Sequence, residues 1–160
     1  MQSDYNIREL TDKHDAAFEK IESLFYEMYA CMRKQGLILE LADDGARKWI
    51  DGIRTGLGRF GSLFVCENEG KIIGFAHGSI ILTPNYFGSK KIGVITHVHV
   101  QDRHRKTGAG RALVKALEKW FDGKEVFGIE LQVLSGNIPA IKFWEKLGYQ
   151  DELRQYRKLT

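Results

Sequence analysis

The chain has 160 residues, 43% hydrophobic and 28% charged, a balance that fits one globular domain over residues 1–160 and excludes a disordered linker. No apolar run approaches the roughly 18 residues a membrane span needs, and Met1-Gln2-Ser3-Asp4-Tyr5 lacks the basic and apolar regions of a signal peptide, so a cytoplasmic protein with no membrane partner is expected. Net charge is +3, yet residues 1–51 hold eleven acidic and seven basic side chains (−4) and residues 52–160 hold ten and seventeen (+7).

In chain order, Tyr5 to Leu10 alternates as a short strand. Thr11-Asp12 reads as a helix start, and Ala17, Ile21, Leu24, Phe25, Met28 and Met32 recur at helical spacing, predicting a helix over 12–34 that Gly36 ends. A second helix fits Asp43 to about Thr55, with Ala46, Trp49, Ile50 and Ile53 on one face. Residues 62–67 and 71–82 are β-rich runs joined by the hairpin signal Asn68-Glu69-Gly70-Lys71. A strand at 92–100, a helix at 109–122, a strand at 126–134, a helix at 137–147 and a final strand pair near 149–159 complete the order. This is an α/β (α+β) mixed sheet with helices on both faces. Cys31 and Cys66 form no metal-ligand spacing and no disulfide framework, so no metal is expected.

The informative stretch is Val98-His99-Val100-Gln101-Asp102-Arg103-His104-Arg105-Lys106-Thr107-Gly108-Ala109-Gly110-Arg111. A strand passes through a basic turn into glycines that open an amphipathic helix. Helix N-terminal amides are unpaired and carry the positive end of the dipole. Glycines admit a phosphate close to them, and Arg103, Arg105 and Lys106 add positive charge, so the pattern points to a polyphosphate. A P-loop fails, because nothing upstream of Arg105-Lys106-Thr107 supplies its first glycine. A dinucleotide fingerprint is also disfavoured, since Leu113 stands where it needs a small residue and the basic turn is too long.

Arg105, Gly108 and Gly110 instead resemble the acetyl-CoA signature of the GNAT superfamily of N-acetyltransferases. Leu131 to Tyr149 strengthens the likeness: there, as in that superfamily, an Asn (Asn137) opens a helix that ends in an aromatic pair (Phe143-Trp144), Glu-Lys and Gly-aromatic. Capping alone explains Asn137 and Gly148.

The resemblance implies a mostly antiparallel sheet of six to seven strands whose central parallel strands splay around the pantetheine arm. Backbone groups of Val98 and Val100 would pair with that arm. Amides of Lys106, Thr107, Gly108, Ala109, Gly110 and Arg111 would hold the pyrophosphate, with Asn137 and Trp144 on the far side. The acceptor would be a primary amine of a small molecule or peptide, entering over residues 34–44, where Asp43 and Asp44 suit a cation. Acetyl transfer would proceed by direct amine attack on acetyl-CoA. An alkyl amine has a pKa near about 10.4, so neutralising it at pH 7 costs about 4 kcal/mol, which a base helps recover. His97 and His99 share one strand face and are the candidate bases, with His77 a third. Trp144 stands where many members have the Tyr that protonates the leaving thiolate, and an indole cannot do so. Tyr149 or Tyr156 could replace it. A non-catalytic acyl-CoA-binding module is the alternative. The cluster of Arg103, Arg105, Lys106, Arg111 and Lys115 lacks interleaved aromatics, so no nucleic-acid partner is expected. The C-terminal segment could pair across a homodimer.

Overall fold

Two helical layers enclose a five-stranded sheet in the computed structural model, which describes residues 5–160. Met1 to Asp4, part of the stretch from which a leader was discounted, lie outside the described residues. The strands β1 (Asn6–Glu9), β2 (Gly61–Asn68), β3 (Lys71–Leu82), β4 (Lys91–Val100) and β5 (Gly128–Leu131) lie side by side in chain order. The first four pair antiparallel and β5 joins β4 in parallel. Helices α1 (Ala17–Lys34) and α2 (Gly45–Arg54) cover one face; α3 (Ala109–Asp122) covers the other, with α4 (Ile138–Lys146) beside it. No helix among the described residues is long and apolar enough to cross a membrane.

Side-chain alternation sorts β2 between the layers. Leu63 and Val65 join the core under α1 and α2, while Phe64 and Cys66 join the core under α3. Both faces are buried, which is why β2 reads as a continuous apolar run. Opposite Phe121, which is fully buried, β3 and β4 present glycines: a Cβ on Gly78 or Gly93 would come within 2.6 or 2.7 Å of that ring.

Local chemistry sets the element ends. Asp12 and Asp15 accept from the amides of His14 and Ala17, so a turn holds Thr11 to Ala16 and α1 begins later than Thr11-Asp12. At its other end the Leu37 amide donates to Met32 and the Gly36 amide to Arg33, with Gly36 at φ 105°, a Schellman stop. Glu69 and Gly70, both at positive φ (49° and 74°), form the tight β2–β3 turn.

One irregularity shapes the site. His77 pairs with His97 and Gly78 with Ile95, so Thr96 is an unpaired extra residue, a β-bulge in β4. Ile95 lies in the core under α3, whereas His97 packs against Phe25, Tyr29 and Trp49 of α1 and α2.

Three expectations need correction. The sheet has five strands, not six to seven. The expected strand at 126–134 shrinks to Gly128–Leu131, and β5 is an edge strand, so the parallel pair is not central. The pair does separate: β4 meets β5 only over Ile92 to Ile95 and runs on to Val100. Residues 150–160 form no strand; with Tyr149 anchored, they continue as exposed chain that meets no sheet edge.

Candidate active site

The β4–α3 loop builds a concave run of backbone donors. Lys106 (φ 60°) and Gly108 (φ 95°) are left-handed, which folds the loop back toward the start of α3. The first helical bond runs from the Ala112 amide to the Gly108 carbonyl at 2.9 Å, leaving the amides of Ala109, Gly110 and Arg111 ahead of it at the positive helix end. Arg103, Lys106 and Arg111 are exposed and make no ion pair among the described residues. Arg105 is used differently from the sequence expectation. Its Nε donates to the Val100 carbonyl at 3.0 Å and its Nη1 pairs with Asp102 at 2.8 Å, so its side chain straps the loop to the end of β4. The Thr107 hydroxyl donates to the His104 carbonyl and stiffens the same turn.

Beyond the bulge, Gln101 donates its amide to Ile73 of β3, while the Val100 carbonyl points the other way, toward Arg105. Val98, two residues earlier, turns its backbone to that same outer side. A Cβ on Gly110 would lie 3.5 Å from Phe143 and 3.9 Å from Val100, so the loop, α4 and the end of β4 converge. On the far side of the opening, a Cβ on Gly136 would lie 2.6 Å from the Gln35 carbonyl, where the end of α1 meets the β5–α4 loop. Asn137 caps α4, its Oδ1 accepting from the Ala140 amide at 3.3 Å.

The histidines gather on the α1/α2 face. His97 Nε2 lies 3.2 Å from the Tyr29 hydroxyl and its Nδ1 lies 2.9 Å from Thr96 Oγ1. Thr96 Oγ1 also lies 2.6 Å from His77 Nδ1 and 3.2 Å from the His77 carbonyl. Burial, with His77 nearby, pushes His97 down to about 3, and burial alone pushes His77 down to about 4. Both rings are therefore neutral at pH 7. Burial raises the Tyr29 phenol, which keeps its proton and donates it to His97 Nε2. His99 is buried with its Nε2 3.5 Å from Glu27. Burial lowers His99, and the Glu27 carboxylate partly offsets that. Gln101 Nε2 donates to the same carboxylate at 3.4 Å.

The expected acids are elsewhere. Tyr149 stands on the α3 side of the sheet and donates its hydroxyl to Glu118 at 3.1 Å. Burial first, then Glu118, raises its phenol far above the ordinary range. The structure thus does not bring Tyr149, a sequence candidate for catalysis, together with His97 and His99. Trp144 packs edge-on against both Phe143 and Tyr149, and Tyr156 is 86% exposed. Conversely, Tyr29, Glu27, Trp49 and Thr96 are partners that the sequence reading missed. Tyr29 carried a signal: it sits four residues from Phe25 beside the buried stripe of α1, and a phenol there needs a polar partner.

Comparisons with known proteins agree with this geometry. The profile of the Acetyltransferase (GNAT) family matches residues 19–149. Glucosamine 6-phosphate N-acetyltransferase of Trypanosoma brucei brucei is 28% identical over 109 residues, 68% of this chain and 71% of that protein. Mycothiol acetyltransferase of Arthrobacter sp. (strain FB24) is 27% identical over 118 residues, 74% of this chain but only 32% of that protein, so the chain spans about a third of that relative's length. The solved aminoglycoside N-acetyltransferase AAC(6')-Iy in complex with CoA superposes with a TM-score of 0.76 at 20% identity, covering 96% of this chain and 94% of that one. With a glycine-opened α3, a bulged β4 and a profile spanning most of its length, the chain belongs to the GNAT family of acetyltransferases.

Proposed function

We propose that the chain is an N-acetyltransferase that moves the acetyl group of acetyl-CoA onto a primary amine of a small molecule or peptide, by direct attack in a ternary complex. The observation that carries this reading is the meeting, along the second half of β4, of an anion cradle at Val100 to Arg111 and a neutral, hydrogen-bonded His97. The relatives named for glucosamine 6-phosphate and mycothiol acetylation favour a small-molecule acceptor. The free thiols of Cys31 and Cys66 suit a reducing compartment, the cytoplasm.

The residues present fit acetyl-CoA. The amides from Lys106 to Arg111, with the Lys106, Arg103 and Arg111 side chains, would hold its pyrophosphate, and the outward backbone of Val98 and Val100 would pair with its pantetheine arm. When bound, it supplies a thioester as the acyl donor. Arg105 fixes the cradle to the strand rather than reaching for the phosphates. Asn137 orients the start of α4 at the opposite wall.

The acceptor approaches the Tyr29 hydroxyl. As the amine attacks, its proton passes to Tyr29 oxygen while the Tyr29 proton passes to His97 Nε2, so the phenol ends as it began and the imidazole holds the charge. Nδ1–H of His97 then donates to Thr96 Oγ1, whose own proton is directed to His77. Glu27 beside His99 gives a second basic pair on the same face. With Tyr149 engaged by Glu118, the thiolate leaves unassisted, which a thiol of ordinary pKa near about 8.5 permits.

Calorimetric titration with acetyl-CoA, using NADH and ATP as controls, followed by thiol release across an amine panel tests the reading. Selective acetyl-CoA binding and amine-dependent thiol release are expected. Binding without release would favour a non-catalytic acyl-CoA module, and no binding by folded protein would overturn the cofactor.

A further inference from the structure

After Tyr149 the chain leaves the body of the protein altogether. Tyr149 is pinned by its amide to the Trp144 carbonyl and by its hydroxyl to Glu118, and each of residues 150–160 beyond it is exposed. Leu153, Tyr156 and Leu159 are 89%, 86% and 70% exposed, which puts three large apolar side chains in water on a segment that packs against nothing. A short terminal arm of this composition needs a surface, and its own chain gives it none.

The complementary surface is at the edge of the sheet. β5 pairs only with β4, so the backbone of Gly128 to Leu131 is open on its other side. Alongside it runs an open groove of about 570 Å³ lined by Glu118, Asp122, Phe127, Ile129 and Tyr149, with Phe127 71% exposed. Asp122 in the groove and Glu130 on β5 make no ion pair among the described residues; nor do Arg154, Arg157 and Lys158 of the arm. The arm is cationic and apolar where the groove is anionic and apolar.

We propose that residues 150–160 form an exchange arm that pairs with the open β5 edge and adjoining groove of a second copy of this chain. Eleven extended residues reach up to about 36 Å, enough to cross a two-fold axis. Because each copy offers both an arm and an edge, the pairing is isologous and closes as a dimer. Backbone bonds to β5 give the affinity; Leu153, Tyr156 and Leu159 cover Phe127 and Ile129, while Arg154, Arg157 and Lys158 face Asp122 and Glu130. The pairing does not depend on the acetyl-transfer chemistry.

Sedimentation equilibrium of the full chain between about 1 and 100 μM tests this, read against the same chain carrying Leu153→Asp and Leu159→Asp. The expected result is twice the 18.3 kDa chain mass for the unsubstituted protein and a dimer at least tenfold weaker for the variant, with circular dichroism and acetyl-CoA binding unchanged. Hydrogen exchange adds a local readout: the outward amides of Gly128 to Leu131 are protected at high concentration only in the unsubstituted protein. A chain that stays monomeric at 100 μM overturns the proposal. So does a variant that dimerises as tightly as its parent, which would place the contact on another face.

Discussion

The hydroxyl of Tyr29, on α1, stands 3.2 Å from Nε2 of His97, on β4, and no other side-chain hydroxyl meets that nitrogen among the described residues. The contact ties the helix to the strand just past the bulge and fixes the ring's second nitrogen toward Thr96. Tyr29→Phe removes the oxygen and keeps the ring packing on Phe25. It should lower kcat for the best amine about 10- to 100-fold while leaving acetyl-CoA affinity unchanged, and His97→Gln should lower kcat further, within the about 10²- to 10⁴-fold that general bases contribute. Steady-state kinetics beside calorimetry separates the two effects. Equal kcat in Tyr29→Phe and its parent would remove the phenol from the proton path.

The pH dependence of the rate follows from the same ring. His97, pushed down to about 3, is already deprotonated at pH 5, so its ionisation cannot limit the reaction near neutrality. The amine, with an ordinary pKa near about 10.4, limits it instead. Log kcat/KM should therefore climb with a slope near one from pH 6 to 9 with no inflection near 6.5. A plateau beginning near pH 7 would show a histidine titrating in its ordinary range.

Stability should show the buried histidine directly. His77 is 5% exposed and is pushed down to about 4 by burial, whereas the unfolded chain titrates it near 6.5. Below 6.5 the unfolded state binds the extra proton, so stability is complete above that pH and falls as the solution is acidified toward 4. The slope is about 1.4 kcal/mol per pH unit for this one group. Urea melts at pH 7, 6 and 5 should show the loss, and His77→Gln should flatten it. An unchanged slope in the variant would assign the acid sensitivity to other groups.

Phe121 seals the α3 side of the sheet against Gly78 and Gly93. Phe121→Ala should cost about 3–5 kcal/mol by opening a cavity, and Gly78→Ala about 1–3 kcal/mol by forcing the ring away. Denaturant midpoints measure both. A Gly78→Ala protein as stable as its parent would mean that the ring shifts without cost.

Gly136→Ala tests the opposite wall. The added methyl would press on the Gln35 carbonyl at 2.6 Å, and backbone there has little room to yield. Moving the β5–α4 loop away from α1 also displaces Asn137, so acetyl-CoA should bind about tenfold more weakly, a shift of about 1.4 kcal/mol by calorimetry. Unchanged affinity would separate that loop from the cofactor.

Much of this architecture is legible in the chain because local rules agree with the tertiary result. β3 spans the expected 71–82 and α3 the expected 109–122, each bounded by glycines or turns whose chemistry is local. The two left-handed residues at Glu69 and Gly70 make the hairpin that Asn68 to Lys71 promised. α1 starts late because Asp15 accepts the Ala17 amide, a competition between turn and helix that spacing alone does not resolve. β5 shortens because Lys91 and Ile92 offer backbone partners only near its start, which is a tertiary fact. The anion cradle was readable from Arg105, Gly108 and Gly110, but not that Arg105 would spend its guanidinium on Val100 and Asp102. The partners of His97 were hidden, since Tyr29 and Trp49 lie 68 and 48 positions away and no local pattern joins them.

Thr96 has a last consequence, for how this protein tolerates change. Because one unpaired residue separates Ile95 from His97, the two halves of β4 answer to different neighbours: the first to the aliphatic layer beneath Phe121, the second to Tyr29 and Trp49. Deleting Thr96 would swap the sides of everything that follows, driving two imidazoles into hydrocarbon and lifting Val100 out of it. Point substitutions on either side of the bulge can be absorbed one layer at a time. A change of one residue in length at this spot would disrupt both layers at once.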